Sequence, residues 1–146
     1  MNKDIFNTHV RLAGRDEHDE ILRLAKLSKY TRDYGHIMFS SPEAYMRGWI
    51  LVATIDGEIV GFTCVRHKVR APETMLYFIG IHPDHQGKGI GWFMLEEIME
   101  NGPHDIMSLN VMKDNPALKF YERHGFRIVG EAIHGKAFNM RRRFAR

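Results

Sequence analysis

The sequence contains little cysteine and lacks long apolar runs. Cys64 is its only cysteine, which excludes an internal disulfide and any metal site built from several cysteines. A single thiol also fits a reducing compartment. Residues 1–10 mix charged and polar side chains, and no stretch approaches the roughly 20 apolar residues that a membrane helix needs. We therefore expect a cytoplasmic protein without a membrane-spanning segment.

The charge is only mildly basic, with a formal net value of +3. Part of it lies in the run Arg141–Arg143, which indicates either a surface for an anionic ligand or nucleic acid, or a solvated terminal strand. The chain has neither an aromatic RNA-binding signature nor zinc-finger spacing, so no nucleic-acid partner is indicated.

The length of 146 residues and the hydrophobic content of 44% predict one globular domain over residues 1–146. The clearest local signal is a hairpin, because Asp56-Gly57 separates the β-rich runs 50–55 and 58–65. The nearly unbroken apolar run 75–81 predicts a central strand covered on both faces.

Helix signals alternate with these strands. Asp16 is predicted to cap a helix over residues 17–29, and Pro42 after Ser41 starts a second, short helix. Two further helices are predicted at residues 88–101 and after Asn115, and further strands at 10–13, 106–112, 126–133 and 137–142. The predicted order is β-α-α-β-β-β-α-β-α-β-β, a mixed α/β fold (α+β with a mixed sheet) around one sheet.

A glycine-rich segment, Gly87-Lys88-Gly89-Ile90-Gly91, joins the strand at 75–81 to the third helix. Its spacing excludes the P-loop and the dinucleotide fingerprint. Two interpretations remain: a backbone cradle for a phosphate at a helix N-terminus, or a strand-to-helix turn without a ligand.

A second segment favours the cradle. Gln86-x-x-Gly89-x-Gly91 is followed about 30 residues later by Asn115-Pro116-Ala117-Leu118-Lys119-Phe120-Tyr121-Glu122-Arg123-His124-Gly125-Phe126. Together the two segments resemble the GCN5-related N-acetyltransferase (GNAT) superfamily, although Asn115 stands one place closer to Ala117 than in the commonest family spacing. The resemblance is sharpest over residues 75–128 and implies the acyl-CoA N-acyltransferase fold.

The resemblance implies acetyl-CoA as co-substrate and no metal. The strand end Ile79-Gly80-Ile81 would pair with the pantetheine arm, and an amide near Ile81 would polarise the acetyl carbonyl. Asn115 would hydrogen-bond the cofactor, cap the helix, or do both. The pyrophosphate would bind the backbone amides of Gln86, Gly87, Lys88, Gly89, Ile90 and Gly91.

Tyr121 matches the family tyrosine that protonates the leaving thiolate; the alternative is a core tyrosine beside Phe120. The general base stays open, because Asn110 stands where some relatives carry a glutamate and an amide cannot act as a base. The other candidates are a water chain or one of five side chains: Asp33, His36, Glu73, Tyr77 and His82.

The acceptor is expected to be an amine of a small molecule or a protein. By the resemblance, residues 30–49 and 130–140 would shape its site, and the first range holds an aromatic set that forms either a pocket wall or helix packing. That set is Tyr30, Tyr34, His36, Met38, Phe39, Tyr45 and Trp49.

Three functions remain. The first is an acetyl-CoA-dependent N-acetyltransferase using direct transfer in a ternary complex, without Cys64 as a nucleophile. The second is a non-catalytic acyl-CoA-binding module, and the third is an unrelated anion-binding domain. A homodimer stays open.

Overall fold

The computed structural model describes residues 7–28, 30–31 and 41–145. Its strands are β1 (Thr8–Leu12), β2 (Ile50–Ile55), β3 (Glu58–His67), β4 (Thr74–Ile81), β5 (Ile106–Met112), β6 (Arg127–Ala132) and β7 (Ala137–Arg143). Its helices within those residues are α1 (His18–Ala25), α2 (Pro42–Met46), α3 (Ile90–Asn101) and α4 (Ala117–Arg123), with short 3-10 turns at Arg15–Glu17 and Pro83–His85. This order confirms the predicted succession of strands and helices.

The strands form a mixed sheet in the order β1-β2-β3-β4-β5-β7-β6. β4 and β5 run parallel, whereas β2 is antiparallel to β1 and β3, and β7 is antiparallel to β5 and β6. A mixed sheet with helical connections confirms the predicted fold class. None of the helices in the described part of the chain combines the length and apolar character needed to cross a membrane.

The chain divides into two compact units. The first comprises Met1–Val65 and Phe78–Glu97, and the second comprises Arg66–Tyr77 and Ile98–Arg146. The expectation of a single domain over residues 1–146 therefore stays a prediction.

The first unit is built on the β2–β3 hairpin. Asp56 and Gly57 both have positive φ, 51° and 82°, which is the primed turn predicted from the sequence. Ala53 and Val60 from the hairpin pack against Ile90 and Met94 of α3, and all four side chains are buried. The start of α3 is thereby anchored to the hairpin by apolar contacts.

The second unit is built around β5, which pairs with the first half of β4 and along its whole length with β7. Leu109 and Met140 lie opposite each other in that register and are buried. Tyr121 of α4 and Phe126 are buried too, with their ring centroids 5.4 Å apart. The Gly125 φ of 86° ends α4 as predicted.

Three local expectations are corrected. Asp16 lies inside the 3-10 turn instead of capping a helix, and the Gly14 N–H donates to the Glu17 carboxylate at 2.8 Å. α1 ends at Ala25, earlier than the predicted residue 29, which lies outside the described residues. The strand predicted to be covered on both faces also differs in part, because every residue of β4 after Leu76 is only half-buried.

The Glu17 carboxylate makes the stability of the first unit depend on pH. The Arg11 guanidinium donates to it at 2.7 and 2.8 Å, and this hydrogen bonding lowers the pKa of Glu17 to about 2 from an ordinary 4.5. A carboxyl group with a lowered pKa stabilises the fold fully above the ordinary value and loses that contribution as the pH falls towards 2.

We expect Glu17→Gln to lower the free energy of unfolding at pH 6. The difference from the parent should become smaller as the pH falls from 4.5 to 2. Urea unfolding of both proteins across that range measures it. Exposed Glu58→Gln is the matched control and should show no such convergence. A Glu17→Gln effect that stays constant down to pH 2 would contradict the assignment.

Candidate functional site

The carboxyl end of β4 leads into a tightly bonded turn. The His82 N–H donates to Val60 O at 2.7 Å, and the His82 imidazole Nδ1 accepts the Asp84 N–H at 3.1 Å. The side chain of Gln86 reaches back and donates through Nε2 to Ile81 O at 3.0 Å. Gln86 thus ties the loop to the last residue of β4, a contact that sequence reasoning did not assign to it.

The glycine-rich loop follows at once. Gly87 and Gly89 have φ values of 76° and 86°, in the left-handed region that favours glycine. A Cβ added at Gly87 would meet no atom within 4 Å, so open space lies beside this backbone. The Gln86 N–H is already engaged in a long bond of 3.4 Å to Pro83 O.

α3 begins directly after this loop. The Phe93 N–H donates to Gly89 O at 3.0 Å, which closes the first helical turn. The N–H groups at the start of a helix have no acceptor within the helix, and the helix dipole places partial positive charge there. Ile90 is 1% exposed, so its buried side chain anchors a helix end that suits an anion.

The carboxyl end of β4 approaches β3 closely. A Cβ on Gly80 would lie 2.5 Å from the Phe62 ring, a distance that real Cβ atoms do not show. Gly80 therefore lets the Phe62 ring of β3 pack directly on the β4 backbone.

The parallel pairing of β4 with β5 is short. It covers Thr74–Leu76 and Met107–Leu109, although β4 continues to Ile81 and β5 to Met112. The predicted binding strand, Ile79 to Ile81, lies beyond the part of β4 that pairs with β5.

In the second unit, Asn115 caps α4. Its Oδ1 accepts the Ala117 N–H at 2.9 Å, and its own N–H donates to Met112 O at 2.9 Å. The capping interpretation of Asn115 is thus observed, and a cofactor role stays a prediction.

Tyr121 lies on α4 and is 6% exposed, with its ring packed against those of Phe120 and Phe126. Burial raises the pKa of Tyr121 well above its ordinary 10, so the phenol stays protonated through the neutral range. Within the described residues its hydroxyl has no hydrogen-bond partner. The ring packs in the core beside Phe120, and the role of the hydroxyl as a proton donor stays a prediction.

The candidate bases differ in their surroundings. Glu73 is held by Lys68 at 2.7 Å and Arg141 at 3.1 Å, and hydrogen bonding from Lys68 lowers its pKa, which makes it a poor base at neutral pH. Asp33 and His36 lie outside the described residues. His82 is engaged in the turn described above.

Asn110 is exposed on β5 and is hydrogen-bonded to Asn139 of β7. Asn139 Nδ2 donates to Asn110 Oδ1 at 2.9 Å and to Leu109 O at 3.1 Å. Sequence reasoning missed Asn139, since only the β5–β7 register places it opposite Asn110.

The expected acceptor region is described in part. Tyr45 of α2 is buried, which raises its pKa to about 12, and the Arg47 guanidinium lies 5.8 Å from the Trp49 ring centroid. Tyr34, His36, Met38 and Phe39 lie outside the described residues.

Neither a metal nor an acyl-cysteine is supported by the geometry. Across residues 7–28, 30–31 and 41–145, no three histidine, cysteine, aspartate or glutamate side chains come together as a metal site. Cys64 is fully buried in β3.

Comparison with known proteins identifies the family to which this chain is similar. Residues 46–128 match the family model described as the acetyltransferase (GNAT) domain. The chain is 51% identical over 129 residues to a 5-NmdU N-acetyltransferase of Pseudomonas phage PaMx11, covering 87% of this chain and 92% of the phage protein.

Two further similarities are more distant. An N-alpha-acetyltransferase RimI of Mycobacterium tuberculosis is 35% identical over 81 residues, which cover 53% of this chain and 51% of that protein. The crystal structure of the PaiA N-acetyltransferase of Thermoplasma acidophilum in complex with coenzyme A superposes with a TM-score of 0.78 at 20% identity, covering 94% of this chain and 99% of the other. At that identity the likeness shows the fold.

Proposed function

This chain belongs to the GNAT acetyltransferase family and is an acetyl-CoA-dependent N-acetyltransferase, and we propose that its acceptor is the amine of 5-NmdU. The observation that carries the proposal is the 51% identity to the phage 5-NmdU N-acetyltransferase, which extends over 92% of that enzyme. The alternative of a non-catalytic binding module has no comparable support.

The residues of the loop fit a coenzyme A pyrophosphate. The left-handed backbone at Gly87 and Gly89 and the open space beside Gly87 suit a bound anion, and the start of α3 adds its dipole. We assign the pyrophosphate to the N–H groups of Gly87, Lys88, Gly89, Ile90 and Gly91. Gln86 shapes the loop through its bond to Ile81 O.

The pantetheine arm is assigned to Ile79, Gly80 and Ile81 of β4. Its amide groups can add to a strand as a further strand does. The short pairing of β4 with β5, which ends at Leu76, supports this assignment. In the same proposal, an N–H near Ile81 donates to the thioester carbonyl oxygen, and Asn115 hydrogen-bonds the cofactor while it caps α4.

Bound acetyl-CoA supplies an acetyl thioester, whose carbonyl carbon is attacked by the acceptor amine as the thiolate leaves. Tyr121 donates its phenolic proton to that sulfur and is reprotonated from water, and its raised pKa keeps the phenol protonated before each transfer. In this proposal the attacking nitrogen loses its extra proton to water, one of the candidate bases, because position 110 carries an amide and Glu73 is paired with Lys68 and Arg141. Direct transfer agrees with the complete burial of Cys64, which keeps the thiol from acting as an acyl carrier.

The acceptor is tested by a thiol-release assay over a panel of amines. We expect 5-NmdU to give the highest kcat/KM, ahead of free amino acids and of peptides with a free N-terminus. Assaying 5-NmdU both as a free nucleoside and within an oligonucleotide shows which form is used. Preferential acetylation of a peptide N-terminus or of an amino acid would overturn the proposed acceptor.

Gly89→Ala tests the loop. A methyl group on a residue with φ of 86° strains the backbone that cradles the pyrophosphate, so the Kd for coenzyme A should rise about tenfold or more. Calorimetric titration measures it. Gly57→Ala imposes similar strain, at φ of 82°, in the hairpin turn and should leave the Kd unchanged. Equal Kd values for both variants and the parent would refute the loop assignment.

Tyr121→Phe tests the proton donor. Loss of a general acid lowers kcat by about 10²- to 10⁴-fold, and we expect this loss at every pH from 6 to 9 because the tyrosine stays protonated there. The Tm should change little, since the hydroxyl has no partner within the described residues. A kcat within twofold of the parent on a good acceptor would show that Tyr121 serves packing alone.

A further inference from the structure

The side-chain amide of Asn110 has a fixed orientation. Asn139 Nδ2 contacts Leu109 O at 3.1 Å, and a backbone carbonyl can only accept, so the nitrogen of Asn139 must face β5. The same nitrogen lies 2.9 Å from Asn110, which must therefore present its oxygen. The Asn110 NH2 group is left pointing away from Asn139.

That NH2 group is available to a ligand. Asn110 is exposed, and its nitrogen makes no hydrogen bond to the residues that the structure describes. Asn110 is the first residue of β5 after its parallel pairing with β4 ends at Leu109. Ligands of sheets with parallel strands bind at the carboxyl ends of those strands, and Asn110 lies in the last three residues of β5.

We propose that Asn110 recognises the acceptor by donating a hydrogen bond to one of its carbonyl oxygens, and that Asn139 is the positioning residue that holds Asn110 in the donating orientation. A protonated amine only donates, as the Asn110 NH2 group does, and a neutral amine needs its lone pair for the attack, so this group does not hold the reacting nitrogen. It holds another part of the acceptor. The proposal rests on the proposed function, because it concerns the acceptor of the same reaction.

Specificity follows from this arrangement. A site built to donate to an oxygen discriminates against amines that lack one, because the fixed donor is then left unpaired when water is excluded. The enzyme should therefore prefer an amine whose framework carries a carbonyl over a plain alkyl amine of similar size.

Asn110→Asp is the decisive variant. The carboxylate that it introduces can still accept from Asn139, but it presents an acceptor where the parent presents a donor. We expect kcat/KM for 5-NmdU to fall about 10- to 100-fold with the KM for acetyl-CoA unchanged. Asn101→Asp adds the same charge at the end of α3 and should change neither value. An unchanged or increased kcat/KM for the acceptor would overturn the proposal.

Two further measurements separate recognition from folding. In the parent, the side-chain amide NMR signal of Asn110, identified by its absence from Asn110→Ala, should shift when the acceptor is added without acetyl-CoA; an unshifted signal at saturating acceptor contradicts the contact. Asn139→Ala should raise the KM for the acceptor in the parent but have no further effect in an Asn110→Ala background. Additive effects would show that Asn139 does not act through Asn110.

These experiments can refute the role of Asn110 without refuting 5-NmdU as the acceptor, and the reverse. If the parent acetylates 5-NmdU and Asn110→Asp does so equally well, the acceptor stands and the role of Asn110 falls. If the parent does not acetylate 5-NmdU, the same variants are assayed with the best amine of the panel. A best amine without a carbonyl oxygen would then refute the role of Asn110.

Discussion

The anchoring of the glycine-rich loop between β4 and α3 is the constraint on which the candidate cofactor site depends. On one side the Gln86 side chain bonds to Ile81 O, and on the other Ile90 and Met94 bury their side chains against the β2–β3 hairpin. A backbone that binds an anion must hold its N–H groups still, because ordering a mobile loop on binding would weaken the affinity. The fixed ends allow Gly87 and Gly89 to keep a left-handed conformation that an unsupported loop would sample only in part.

The candidate cofactor site also depends on close packing between the β4 backbone and a side chain of β3. Gly80 lacks a side chain, so the Phe62 ring can lie against β4. The same strand that is bonded and packed in this way carries the residues assigned to the pantetheine arm. Rigidity of β4 and accessibility of its last residues are thus provided by different neighbours: Phe62 supports the strand, while the parallel pairing with β5 stops at Leu76.

In the second unit, the buried polar groups and those near the surface have different chemical properties. Tyr121 lies in the core, where loss of solvent keeps its phenol protonated. Glu73, one of the candidate bases, is neutralised by Lys68 and Arg141 and serves structure. Asn110 and Asn139 are neutral and stay near the surface, where an amide pair of fixed orientation can select a partner without a charge.

The sequence by itself determined the order of the strands and helices, the primed turn at Asp56-Gly57 and the position of the glycine-rich loop, because each depends on residues adjacent in the chain. It also predicted Asn115 as a cap of α4, for the same reason. The hydrogen bond of Gln86 to Ile81 O, the partnership of Asn139 with Asn110 and the neutralisation of Glu73 by Arg141 were decided only by the tertiary structure. Asn139 and Asn110 are 29 positions apart, and only the antiparallel register of β5 and β7 brings them face to face. Local pattern cannot supply that register, since shifting one strand by a single residue would turn every one of its side chains to the other face.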